Sequence, residues 1–424
     1  MPKVSEVHTL IEHFFRYESG KMIAVLTGLF GSNNIVLAED LVQDTLMEAM
    51  ANWTYKGIPE NPSAWLYTVA KNKALNSINR EKYRNRYALE TRYEWQKSEE
   101  TTMPEIFSPD NISDDQLRMM FLCCHPAISP DSQIALILKT LCGFSISEIG
   151  RAFMTSKENI NKRLVRTRKI IRTQNISFNL PHKKHIKQRL DAVLETIYLL
   201  FNEGYSASVG HKAIREGLCL EAIRLTELVL ANKAVDNKGS VYALLSLMQL
   251  NVSRFGARID DQGNLRTLEK QNRSLWDMYT MEKGFANLKK ATQDALLTKY
   301  HLLAGISSYH CSAKSFEATD WMGILSLYDR LLILDSSPLV VLNRVIVLLQ
   351  IGKTQDALAQ LGKIEKENAL VSHHLFYAVK SDLYAKMGKM TEAGKSLQKA
   401  IDLAPLLAEK KLLRDRLKKI SEKK

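Results

Sequence analysis

LAEDLVQDTLMEAMANW (residues 37–53) is the stretch on which the reading of this chain turns. Val42, Leu46, Ala49 and Trp53 recur at i, i+4, i+7 and i+11, the apolar stripe of one buried helix face. Asp40, Asp44 and Glu48 project on roughly the opposite side as an acidic ridge. The whole chain carries a formal net charge of +13, so an acidic face needs its own account. A carboxylate ridge repels phosphate, which points to a protein surface as its partner; plain solvent exposure is the other account.

The next helical stretch is NPSAWLYTVAKNKALNSINREKYRNR (61–86). Asn61 can cap its N-terminus, and Pro62 suits the first helical position, where an N–H is not needed. At 100° per residue Trp65, Asn72, Asn76 and Asn79 fall together, flanked by Lys73 and Arg80. A π-face, amide edges and cations together suit unstacked bases and their phosphates. Val69 projects into the same arc, and Trp65 taken alone reads more as a core residue than as a stacking platform. Positions 71–92 collect seven basic residues, including Lys71 and Lys73, against Glu81 and Glu90.

A second basic block lies in SISEIGRAFMTSKENINKRLVRTRKIIR (145–172), where 162–172 hold six basic residues and no acid. Ser145 with Glu148, and Thr155 with Glu158, read as two capping boxes ten residues apart. They predict a short helix, a tight turn and a longer helix. Ile146, Ile149 and Phe153 share one face of the first; Ile160, Leu164 and Ile171 share one face of the second. Asn159, Lys162, Arg163, Arg166 and Lys169 occupy the opposite arc. This is a helix-turn-helix pattern, whose polar second helix can meet phosphates and base edges in a major groove. Basic amphipathic helix pairs are common, so the pattern alone also fits a solvated face.

Around these motifs the composition describes a folded, mostly helical protein of two or three domains. The chain has 424 residues, 45% hydrophobic and 25% charged, with only 10 Pro and 19 Gly. Residues 1–180 are nearly neutral, with 22 basic and 20 acidic residues, so their basic blocks are local features. No apolar run is long enough for a membrane span, and the N-terminus lacks a signal-peptide pattern. Cys123, Cys124, Cys142, Cys219 and Cys311 have no framework spacing and read as reduced thiols of a cytoplasmic protein. No phosphate loop, dinucleotide fingerprint, zinc spacing or nucleophile arrangement occurs, so the expectation is no enzyme, no cofactor and no metal. Cys123-Cys124-His125 reads as a buried helix end, and FNEGYSAS (201–208) as a structural or interdomain segment.

Toward the C-terminus, QIGKTQDALAQL (350–361) is echoed by KMGKMTEAGKSL (386–397) at an offset of 36 residues. Gly352 matches Gly388, Ala357 matches Ala393, and Leu361 matches Leu397. Small residues at a helix crossing and a Gly at the turn resemble tetratricopeptide repeats, whose period is near this offset.

Taken in order, the acidic-ridge helix, the Trp65 helix, the acidic stretch 96–115 and the helix-turn-helix resemble a bacterial RNA polymerase sigma factor. The resemblance is to the extracytoplasmic-function type, with regions 2 and 4 only, in a group carrying a tetratricopeptide-like extension. DQLRMMFLCCHPAISPDSQIALILKTLCGFS (115–145), YLLFNEGYSAS (198–208) and DQGNLRTLEKQNRSLWDM (261–278) also resemble that group. The resemblance implies an all-α chain: region 2 at 8–92, an acidic linker at 93–115, region 4 at 116–175, and helical repeats at 186–424. It assigns Asp40, Leu41, Gln43, Asp44 and Glu48 to core polymerase. Trp65, Lys71, Asn72, Lys73, Asn76 and Arg80 are assigned to the promoter −10 element. Ser156, Lys157, Asn159, Asn161, Lys162, Arg163 and Arg166 are assigned to the −35 element. Expected partners are therefore core RNA polymerase, promoter DNA and a protein at the C-terminal repeats. Two rival readings are a one-component helix-turn-helix regulator with a repeat sensor, and a helical-repeat scaffold.

Overall fold

The computed structural model describes residues 4–86, 106–152, 155–180, 183–205 and 214–422, with short gaps at 234, 237, 261, 263, 294–295 and 368–369. Among the described residues the regular structure is helical, apart from an isolated antiparallel bridge between Ile259 and Leu265. The chain divides into two compact units, Met1–Thr196 and Ile197–Lys424.

Unit 1 begins with α1 (Val4–Phe30), α2 (Ile35–Lys56) and α3 (Pro62–Arg86). It continues with α4 (Pro109–Cys123), α5 (Pro130–Thr140), α6 (Ile146–Ala152) and α7 (Lys157–Thr173). In α1, Met22, Ile23, Ala24, Val25 and Leu26 are all buried. A helix buried on every side is a central element, and α1 indeed packs against α2, α3, α4 and α5. A Cβ on Gly20 would lie 2.1 Å from the Leu141 carbonyl oxygen, so α1 meets the end of α5 at a distance only glycine permits. The expected α2 stripe of Val42, Leu46, Ala49 and Trp53 is buried throughout. Asn61 caps α3, its side-chain oxygen accepting from the Ala64 N–H at 3.0 Å, with Pro62 as the first helical residue.

Two boundaries differ from those expected. Residues 109–115 are helical: Ser108 caps α4 by accepting from the Asn111 N–H at 3.3 Å, and Pro109 opens it. The stretch expected as linker therefore ends before Pro109, and its residues 93–105 lie outside the described residues, as do 87–92 and Phe153. The second unit begins at Ile197, within α8 (Lys183–Tyr205), rather than at the expected 186. Of FNEGYSAS, residues 206–208 lie outside the described residues.

Unit 2 is a succession of helices each packed on its neighbours. They are α9 (Glu216–Ala231), α10 (Gly239–Val252), the short α11 (Phe255–Arg258), α12 (Met278–Ala291), α13 (Lys299–Ser312) and α14 (Trp321–Leu334). Then follow α15 (Pro338–Gln350), α16 (Thr354–Lys366), α17 (His374–Lys386), α18 (Met390–Leu403) and α19 (Leu407–Ser421). The 36-residue echo has a geometric counterpart. Gly352 (φ 78°) follows α15 and Gly388 (φ 75°) follows α17, and both adopt the left-handed conformation. In each copy the next amide reaches back across the turn, Lys353 N–H to the Leu348 carbonyl and Lys389 N–H to the Tyr384 carbonyl, both at 2.9 Å. Ala357 and Ala393, then Leu361 and Leu397, are buried at matching places on α16 and α18.

A Cβ at Gly388 meets nothing within 4 Å, so only backbone strain opposes a side chain. Gly388→Ala should cost about 1–2 kcal/mol, read as a lower denaturant midpoint with m unchanged. His374 on α17 is 9% exposed, and burial, reinforced by His373, lowers its pKa to about 4. It faces Glu409 of α19 at 3.6 Å, whose carboxyl burial pushes upward. The unfolded chain takes up this imidazole's proton first, near the ordinary 6.5. Stability from His374 is thus complete above that pH and is lost as pH falls toward 4, about 3 kcal/mol in all. His374→Gln should flatten the acid limb of a denaturant-midpoint profile across that window.

Candidate nucleic-acid and partner interface

With the stripe of α2 turned inward, Asp40, Gln43 and Asp44 stand exposed, while Leu41 and Glu48 are half-buried. Val36 and Met47 lie on the same open face at 48% and 60% exposure. The ridge is thus a mixed acidic and apolar strip, better suited to a protein partner than to water alone. The two apolar members were not picked out from the sequence, because a single Val or Met off the main stripe carries no periodic signal.

Along α3, Asn72, Asn76 and Arg80 are exposed, and Trp65, Lys71 and Lys73 are half-buried. Trp65 packs edge-to-face on Trp53, with ring centroids 5.4 Å apart at 64°. Its ring is therefore anchored on the core of α2 while part of it stays accessible, between the two readings open from the sequence. Lys73 Nζ lies 2.8 Å from the Glu48 carboxylate, so a residue assigned to DNA and one assigned to polymerase form an ion pair across α2 and α3.

The short-helix, turn, long-helix pattern is present as α6 and α7. Ser145 and Glu148 make both bonds of the expected capping box, at 2.9 and 3.2 Å. The second cap differs by one residue: Ser156, not Thr155, accepts from the Asn159 N–H, at 3.2 Å. The physical reason is the turn before it, where the Thr155 N–H is already given to the Gly150 carbonyl at 2.8 Å. Gly150 eases that closure, since a Cβ there would lie a tight 3.0 Å from the Thr155 carbonyl oxygen. Asn159 in turn donates its side-chain amide to the Thr155 hydroxyl at 3.2 Å. Ser156 and Asn159 thus hold the start of α7 as well as standing on its surface.

Ile160, Leu164 and Ile171 are fully buried, as the seam requires. Ser156, Lys157, Asn159, Asn161, Lys162 and Arg166 are exposed, and Arg163 is half-buried with Asp131 at 3.7 Å. Asn159, Lys162, Arg163 and Arg166 come together along one groove of about 670 Å³, whose far side carries Ser129 and Ser132. Lys157, Asn161 and Ser156 lie outside it. The combination of phosphate-reaching cations and one amide in a groove fits the chemistry of a duplex contact.

One member of the basic block points elsewhere. Arg168 turns from α7 to Glu39 on α2, its Nη2 2.8 and 2.6 Å from the two carboxylate oxygens. The side chains are 19% and 12% exposed. Burial pushes the Glu39 carboxyl above its usual range, and Arg168 pulls it back. Beside this pair the Ser32 hydroxyl donates to the Ile176 carbonyl, and the Asn33 amide donates to the Asn175 side chain at 3.2 Å. Nothing in the sequence marks this clasp, since its partners lie 129 to 144 residues apart.

Both cysteines of the pair are fully buried, with the Thr140 hydroxyl 3.8 Å from Cys123 Sγ and the Arg189 charge acting on Cys124. Burial pushes both thiols up, Cys124 to about 12, so neither is a thiolate at neutral pH. Among the described residues no group of three or more His, Cys, Asp or Glu could hold a metal ion. No helix among them is long and apolar enough to cross a membrane.

Removing one partner of a buried ion pair strands the other charge, which costs about 3 kcal/mol. Glu39→Ala or Arg168→Ala should each lower stability by roughly that amount, and the double variant by little more. Independent, additive losses in a double-mutant cycle would remove the clasp from the account of unit 1.

Comparison with known proteins places these helices. The sigma-70 region 2 family matches residues 14–84, which run from α1 to α3. A family of unknown function, DUF6596, matches residues 189–292. An uncharacterized protein of Rhizobium meliloti is 32% identical over 385 residues, covering 91% of this chain and 90% of its own. The RNA polymerase sigma factor CarQ of Myxococcus xanthus is 30% identical over 117 residues, covering 28% of this chain and 62% of its own. No solved structure matches the chain. The first three helices thus carry a sigma-70 region 2 domain, and part of the chain is similar to a sigma factor.

Proposed function

We propose that this protein is a sigma factor of the extracytoplasmic-function type, acting in the cytoplasm without catalytic residues of its own. It binds core RNA polymerase and directs initiation at selected promoters. The observation that carries the reading is the region 2 match falling on α1–α3, where the exposed face of α2 offers Asp40, Gln43, Asp44 and Met47. In this reading Asp40, Leu41, Gln43, Asp44 and Glu48 dock on the polymerase. Trp65, Lys71, Asn72, Lys73, Asn76 and Arg80 engage the −10 element, with the accessible part of Trp65 available to an unstacked base.

Helices α4–α7 act as region 4, and the groove of Asn159, Lys162, Arg163 and Arg166 meets the −35 element, flanked by Ser156, Lys157 and Asn161. The repeated helix pairs of unit 2 form a tetratricopeptide-like extension that regulates the factor in cis or holds a protein partner. The kinship to the rhizobial protein over nine-tenths of both chains supports treating this extension as part of the working protein.

Transcription with core polymerase over a promoter library tests the reading. Initiation that depends on adding this protein, at a defined subset of promoters, is the expected outcome. Tight operator binding without core favours a one-component regulator. Charge reversal at Asp40 and Asp44 (Asp40→Lys with Asp44→Lys) should weaken core binding at least about tenfold, roughly 1.4 kcal/mol, yet leave duplex binding intact. Equal core affinity for the reversed variant would overturn the assignment of α2. Arg166→Ala should weaken binding to a −35 duplex and make it less salt-dependent by about one phosphate contact.

A further inference from the structure

Unit 2 gathers three arginines, Arg254, Arg258 and Arg273, around α10, α11 and the end of α13. Arg254, 8% exposed, donates through Nη2 to the Tyr205 hydroxyl at 2.7 Å and to the Asn251 side-chain oxygen at 2.6 Å. Arg258 donates to the Tyr205 carbonyl at 2.7 Å and lies over the same ring, 3.7 Å from its centroid. Arg273 donates through Nη1 to the His310 and Ala313 carbonyls at 2.9 and 2.8 Å, closing the end of α13, and stacks on Trp276 at 4.4 Å. All of these partners are neutral. Among the described residues no carboxylate lies within ion-pair distance of the three, and the Glu317 carboxylate acts on Arg273 only from further away.

Each side chain therefore spends part of its donor capacity on the fold and leaves the rest over. Arg254 Nε, Arg273 Nη2, Trp276 Nε1 and His310 Nδ1 are all buried without a hydrogen-bond partner. They belong to one neighbourhood: Arg254 and Arg258 share Tyr205, Arg273 bridges Trp276 and the His310 backbone, and the charges of Arg254 and Arg273 both act on the His310 ring. Buried positive charge with unspent donors is costly unless something negative answers it. Arginine forks and an indole N–H match an oxyanion, and several donors suit the three or four oxygens of a phosphate better than the two of a carboxylate.

We propose that Arg254, Arg258, Arg273, Trp276 and His310 form a binding site for a phosphate-type oxyanion, either free or carried by a phosphoester. The three arginines and Trp276 lie within the segment matched by the family of unknown function, and the site is independent of polymerase or promoter binding. It gives unit 2 a chemical input of its own.

The test titrates the full chain with inorganic phosphate and, separately, with adenosine monophosphate, at constant ionic strength set by sodium chloride. Saturable binding is expected, with a melting-temperature rise of about 5–10 °C at a hundredfold excess over Kd. Saturation by phosphate assigns the free anion, and saturation by the monophosphate alone assigns a phosphoester. His310 supplies a second reading, because burial and the two arginines hold its pKa at about 4. Bound phosphate should raise it, seen in the imidazole NMR shifts of the unsubstituted protein. Arg273→Gln, and separately Arg254→Gln, should weaken binding about 10–100-fold. No saturable effect on the unsubstituted protein, an equal effect from chloride or acetate, or an unmoved His310 would overturn the proposal.

Discussion

Arg168 and Glu39 meet with little water around them, and much of unit 1 answers to that contact. A guanidinium drawn 2.6 Å from a carboxylate on another helix fixes the rotation of its own helix about the long axis. With Arg168 inward, Ile160, Leu164 and Ile171 stay in the core, and Asn159, Lys162 and Arg166 are left on the outside. The ion pair therefore does for α7 what an apolar seam alone does loosely, since seams tolerate some rolling and a guanidinium nitrogen held between two carboxylate oxygens resists it. Gly20 against Leu141 plays the complementary part, setting how closely α1 approaches the end of α5.

The two units solve the burial problem differently. In unit 1 a central helix is surrounded, so contacts link segments far apart in sequence, such as Ser32 with Ile176. In unit 2 the helices from α14 onward pack mainly on their successors around an apolar band from Leu302 to Leu413, while α10 packs on α12 and α13 and a smaller cluster surrounds Trp276. A stack of this kind gains stability through nearest-neighbour interfaces, which makes the turn glycines and the last helix disproportionately important.

Much of this was legible in the residues. Helix starts announced themselves through Asn61-Pro62 and through Ser145 with Glu148, because capping is a local interaction. The α2 stripe and the paired glycines at 352 and 388 were readable for the same reason: periodicity and backbone conformation leave a local mark. The Ser156 cap was missed by one residue, since choosing it required knowing that Thr155 was already committed to Gly150. Arg168 looked like one more cation in a basic run, and nothing short of tertiary structure distinguishes it from Arg166. The arginines around Tyr205 were equally silent, because scattered cations in a basic domain have no pattern until folding gathers them.

The ion pair between Glu48 and Lys73 has an energetic meaning beyond its geometry. Each side chain is partly neutralised by the other, so each presents a weaker charge to an outside molecule than its formal value. A partner that engages Glu48 releases the Lys73 ammonium, and an anion that captures the ammonium releases the carboxylate. By linkage, the free energy of breaking the pair is spent once and serves both encounters, so the second is easier than the first. Any such coupling is bounded by the small worth of a partly exposed ion pair.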